Sequence, residues 1–121
     1  MSYGARRWMI PDGFWNSRSN GRFPSHESVC VLNAARTPAR IDLVLFFEDR
    51  DKQDGFHVDV PAERCLHIRL DRLLDDRGRP VPTDIPYAIV LESDIPVVVQ
   101  YSRMDTSQSE MGLMTTLGFP V

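Results

Sequence analysis

The chain has 121 residues at 13.8 kDa, with 42% hydrophobic and 26% charged residues, 9 Pro, 7 Gly, 2 Cys and a formal charge of −3. This composition excludes a disordered, collagen-like or disulfide-dense chain and fits one globular domain over residues 1–121. A domain of this size buries roughly two-thirds of the surface that its unfolded chain exposes, enough for one core, and self-association would help it.

The elements follow from a period of two. A short strand is expected at 7–10 and a second at 28–34. In 41–47 the residues Ile41, Leu43, Leu45 and Phe47 are all large and apolar, which marks a half-buried strand. Phe56, Val58 and Val60 then alternate with His57 and Asp59, and Leu66, Ile68 and Leu70 alternate with Cys65, His67 and Arg69. Residues 70–76 allow a turn or two of helix, which Gly78 and Pro80 stop. Further strands are expected at 87–92 and 97–103, divided by a turn at 94–96. At the C-terminus Ser107 to Glu110 has the form of a helix capping box, but Gly112, Thr115, Thr116 and Gly118 favour a strand. Seven or eight short strands at near-regular spacing predict an all-β, single-domain β-sandwich with little helix.

Charge is unevenly placed. Residues 1–40 hold six Arg against Asp12 and Glu27, a net +4, so the other 81 residues carry −7. Such asymmetry suits contact with phosphate or with an acidic surface of a neighbouring copy. A pI near 5.5 makes nucleic acid the weaker partner. No apolar run reaches the length of a secretory signal or a membrane span, so a cytoplasmic protein is expected. Cys30 and Cys65 lie in apolar strand-like runs and are expected as buried free thiols.

Three constellations could carry chemistry. Ser25-His26-Glu27 suggests a hydrolase, yet adjacent strand residues point to opposite faces and cannot form a relay with one another. For His26 the plainer reading is a strand-end histidine bonded to a backbone carbonyl. His26, His57 and His67 lack the i, i+2 or i+4 spacing of a local metal site, so neither a metal nor a cofactor is expected. The third set is Arg64, His67 and Arg69 in one strand, with Gln100, Arg103 and Asp105 in or just after another. Gln100 stands between Val99 and Tyr101, in a run apolar enough to predict burial and an obligatory hydrogen bond. Guanidinium forks beside amides suit a shallow polar pocket for hydroxyl, carboxylate or phosphate groups. Ordinary surface ion pairs and a braced glutamine account for the same residues. Of the aromatic residues near the N-terminus, Trp8 is assigned to the core and Trp15 is open between packing and a ligand or subunit contact.

The run from Ser25 to Asn33, then Val60-Pro61-Ala62 with Arg64, His67 and Arg69, then Pro96 to Gln100 with Arg103, Asp105 and Gln108, resembles the sensory rhodopsin transducer family. These are small prokaryotic proteins typified by a soluble cyanobacterial transducer. The resemblance implies a jelly-roll β-sandwich assembled as a cyclic homotetramer. It also implies a small-molecule-binding domain without catalysis, whose ligand-binding residues by motif are Ser25, His26, Glu27, Asn33, Arg64, His67, Arg69, Gln100, Arg103 and Asp105. The expected function is therefore a non-enzymatic module for a small polar ligand such as a sugar or carboxylate. The alternative is a soluble signal transducer that binds the cytoplasmic face of a membrane photoreceptor or another protein.

Overall fold

The computed structural model describes residues 2–121. The chain is all-β apart from one short turn of 3-10 helix. Its strands are β1 (Ala5–Phe14), β2 (His26–Asn33), β3 (Ala39–Phe47), β4 (Gln53–Val60), β5 (Arg64–Arg69), β6 (Pro86–Asp105), β7 (Gly112–Leu117) and β8 (Phe119–Pro120). The 3-10 turn Leu70–Arg72 follows β5 and buries Leu70. All strand pairs are antiparallel.

One long strand organises the sheet. The first half of β6 pairs with β1 and β3, giving a layer ordered β4-β3-β6-β1-β8. Its second half pairs with β2 and β7, giving a layer ordered β5-β2-β6-β7. The turn expected at 94–96 is absent, and the two strands expected around it are this single strand. Pro96 stands where the register shifts between Ala5 and Arg7 of β1, so the proline marks a bend of the strand rather than its end. Pro11 and Gly13 similarly fall at the second register shift, between Ile10 and Gly13 of β1.

The core between the layers is built by the alternation seen in the sequence. Ile41, Leu43 and Leu45 of β3, Phe56 and Val60 of β4, Val29 and Val31 of β2, and Ile89, Leu91, Val97, Val99 and Tyr101 of β6 are buried. Trp8 joins them, and its indole N–H donates to the carbonyls of Ala5 and Val97, both at 3.0 Å. Trp15 is half-buried and packs against this cluster. The thiols depart from expectation, because parity along β2 and β5 turns both outward. Cys30 is half-buried and Cys65 is exposed.

Loops are tied to the layers by carboxylates. Asp75 is buried and accepts the N–H groups of Arg77 and Arg79 at 2.9 and 2.8 Å, the Gln53 amide at 3.1 Å and the Arg79 guanidinium at 2.9 Å. Burial opposes its ionisation, but these donors outweigh it and hold the carboxyl at about 2. A carboxyl depressed in the folded state contributes stability above its ordinary value, about 3.8, and loses it as pH falls toward 2. Urea titrations between pH 5 and 2 are therefore expected to show an acid-limb loss of stability that Asp75→Asn diminishes.

Gly13 lies against the ring of Tyr87, where a Cβ would stand 2.5 Å from Cε1. Gly13→Ala must displace that ring, and denaturant unfolding is expected to show a loss of about 1–3 kcal/mol.

Candidate functional site

The strand β2 sorts the sequence candidates onto two faces. Ser25, Glu27 and Asn33 point inward with Val29 and Val31, and all three are buried. His26, Ser28, Cys30 and Leu32 point the other way, so Ser25, His26 and Glu27 form no relay.

Each inward polar group is satisfied by the protein itself. Ser25 Oγ donates to the Arg18 carbonyl at 2.8 Å and accepts the Thr106 N–H at 2.9 Å. Asn33 donates its amide to the carbonyls of Thr37, Val60 and Pro61 at 2.9, 3.2 and 3.1 Å, and its oxygen accepts the Ala35 N–H at 3.0 Å. Glu27 accepts the Phe14 N–H at 2.8 Å and the hydroxyls of Tyr87 and Tyr101. Burial and then the Glu27 charge raise both phenols above their ordinary range, which keeps them neutral donors.

Arg103 completes this network from the surface. Its Nε donates to Tyr101 Oη at 3.0 Å, while Nη2 reaches the Asp12 carbonyl at 2.8 Å and Asp12 Oδ1 at 3.1 Å. Asp105, two residues on, accepts the Ser107 N–H at 2.8 Å and the Asn16 amide at 3.4 Å. Its carboxyl is held below the usual range, chiefly by Ser107.

The remaining candidates lie on β2, β5 and β6. His26 Nδ1 bonds the Pro24 carbonyl at 2.8 Å, as the plainer reading of that residue has it. Arg69 grips Asp71 through two bonds of 2.8 Å. Arg64 stands opposite buried Asn33, on the face of Leu66 and Ile68 rather than that of His67, and its guanidinium donates to the Glu63 carbonyl. Gln100 is exposed, which corrects the expected burial: Val99 and Tyr101 point into the core, so the residue between them must point out. Its amide donates to Thr115 Oγ1 at 2.6 Å.

Two candidates, His67 and Gln100, line one surface concavity. His67, Cys30, Gln100 and Leu117 form one row across β5, β2, β6 and β7, since each is paired directly with the next. The row borders a shallow concavity of about 240 Å³ that Leu32, Cys65 and Val98 also line. The two cysteines and Leu117 were not among the sequence candidates. Their signal was parity: Cys65 shares the odd-numbered face of His67 and Arg69, and Cys30 the even-numbered face of Ser28.

Burial, then the neighbouring Cys65 thiol, raise Cys30 and disfavour a nucleophilic thiolate. Among the described residues no group of three or more His, Cys, Asp or Glu could hold a metal ion. No helix among them is long and apolar enough to cross a membrane.

Glu27 and its donors should behave as a brace. Tyr87→Phe removes one hydrogen bond to a buried carboxylate and is expected to cost about 1.5–3 kcal/mol in denaturant unfolding. Glu27→Ala should cost more, because it strands both hydroxyls.

A family model described as Anabaena sensory rhodopsin transducer matches residues 3–120. The solved structure of Thermotoga maritima 1070 is 37% identical with a TM-score of 0.88, covering 98% of this chain and 96% of that one. The structure of the Anabaena sensory rhodopsin transducer is 34% identical with a TM-score of 0.76, covering 90% and 96%. No curated protein matches.

Proposed function

The chain belongs to the family of the Anabaena sensory rhodopsin transducer, and on that premise we propose that it is a non-enzymatic binding module for a small polar ligand, a sugar or a carboxylate. The site of this reading is the outer concavity bordered by His67 and Gln100. The observation that carries it is the pairing of exposed polar side chains with an apolar floor of Leu32, Val98 and Leu117. An apolar floor with a few placed donors and acceptors is the usual composition of small-molecule sites. After its bond to Thr115, Gln100 still has its amide oxygen as an acceptor, and the His67 imidazole can donate or accept. The inward candidates serve this site indirectly, by holding β2 and β6 in register beneath it.

A second reading is favoured by the relative's printed name. A transducer acts by contact, so this chain would be a soluble signalling module that docks on a sensory rhodopsin or a comparable membrane receptor. A pull-down from membranes carrying a candidate receptor tests it, and association that weakens with salt is the expected signature of polar docking.

A thermal-shift screen of sugars and carboxylates decides the first reading. A ligand that binds the native state is expected to raise Tm as its concentration exceeds Kd. His67→Ala and Gln100→Ala should abolish that rise while leaving the unliganded Tm within about 2 °C, because exposed substitutions cost little. If no compound raises Tm, or both variants keep the rise, the concavity is not the site.

A further inference from the structure

The two cysteines are diagonal neighbours on the outer face of the four-stranded layer. Cys30 of β2 is paired with His67 of β5, and Cys65 of β5 with Leu32 of β2, so the thiols stand two positions apart on adjacent strands and point to the same side. Both line the concavity bordered by His67 and Gln100. Burial first and then the Cys65 thiol raise Cys30, which marks the two sulfurs as close, and the neighbouring Ser102 hydroxyl acts in the opposite direction.

The diagonal spacing decides what the pair can hold. Residues so placed lie about 7–8 Å apart, with their β-carbons somewhat closer. A disulfide needs α-carbons about 4.4–6.8 Å apart and β-carbons about 3.5–4.5 Å apart, so this pair closes on itself only if the backbone moves. An ion between the sulfurs needs more room. With the zinc–thiolate length of about 2.3 Å as a guide, a linear sulfur–metal–sulfur bridge spans roughly 4.6 Å, and the Cβ–Sγ bonds supply the remaining reach.

The number of ligands selects the ion. Among the described residues no group of three or more His, Cys, Asp or Glu could hold a metal, which excludes the four-ligand sphere of structural zinc and the oxygen sphere of calcium or magnesium. Two sulfurs suffice for a soft d10 ion such as Cu(I), which thiolates select and which accepts linear coordination. The surroundings suit such an ion. Leu32, Val98 and Leu117 line the same concavity and reduce the water around it. His67 and Gln100 flank Cys30 along its row and carry N–H donors beside the anionic sulfurs.

We propose that Cys30 and Cys65 clamp one Cu(I) ion between their sulfurs on the outer face of β2 and β5. Two S–H bonds are replaced by two Cu–S bonds, both protons pass to solvent, copper stays Cu(I), and the bis-thiolate complex carries one negative charge. The site shares its concavity with the polar-ligand reading but does not rest on it, because its ligands are sulfur and its readout is the metal.

Anaerobic titration of the reduced protein with Cu(I), in competition with a chromogenic Cu(I) chelator, tests this. One ion per chain is expected, with two sulfur neighbours by X-ray absorption. Its affinity should fall as pH is lowered, since protons compete for both sulfurs. Holding an ion at two points rather than one strengthens binding by about 10²–10⁴-fold, so Cys30→Ser and Cys65→Ser should each weaken it by about a hundredfold or more. Should Cys30→Ser fail to fold by circular dichroism, Cys65→Ser decides, because Cys65 is exposed. Alkylation read by mass spectrometry should find both thiols protected in the loaded protein and reactive without copper. No uptake against the chelator, wild-type affinity in a folded single variant, or one ion shared between two chains would overturn the proposal.

Discussion

A single buried carboxylate holds the two layers in place. Removing an ionised group from water costs several kcal/mol unless its lone pairs are filled. Glu27 fills them with the Phe14 N–H and the hydroxyls of Tyr87 and Tyr101. Those donors sit on β1, on the first half of β6 and on its second half. The carboxylate thus works only when both halves of β6 are correctly placed, and it couples the layers more specifically than apolar contact does. Arg103 extends the constraint to the surface, where it takes up Asp12 on β1.

The same constraint separates the inner face of β2 from its outer face. Ser25, Glu27 and Asn33 lie on the inner face of β2 and spend their hydrogen-bonding capacity on loops and neighbouring strands. What they stabilise is the outer face of the same strands, where Cys30, His67 and Gln100 stand in a row. Residues of the family motif thus fix the platform on which the exposed residues stand. The thiols fit this division, since their outward parity makes them part of that surface.

Charge asymmetry has a partly local explanation. Arg7 of the basic N-terminal segment meets Glu92 across β1 and β6 at 3.5 Å, within the chain. On the outer face of that layer His57, Asp42, Glu92 and Arg7 form one row, with His57 Nδ1 2.6 Å from Asp42 Oδ1. Two like charges side by side are unfavourable, and the row places a cationic or protonatable group on each flank. Part of the excess charge at each end of the sequence is thus paired in the tertiary structure.

The strand alternation and the β-sandwich class were legible in the sequence, because a period of two shows which side chains share one face of a strand, and the core place of Trp8 was legible from its large apolar surface. The motif residues that carry the family were legible too. Tertiary structure alone decided that β6 is one strand, because a proline can end a strand or bend it, and only pairing on both sides shows which. It also decided the partners of Glu27, which lie 13, 60 and 74 residues away in the chain. Parity tells which residues share a face, but not which face is covered. Gln100 and Cys65 are therefore exposed although their neighbours in the chain are apolar, because those neighbours point to the opposite side.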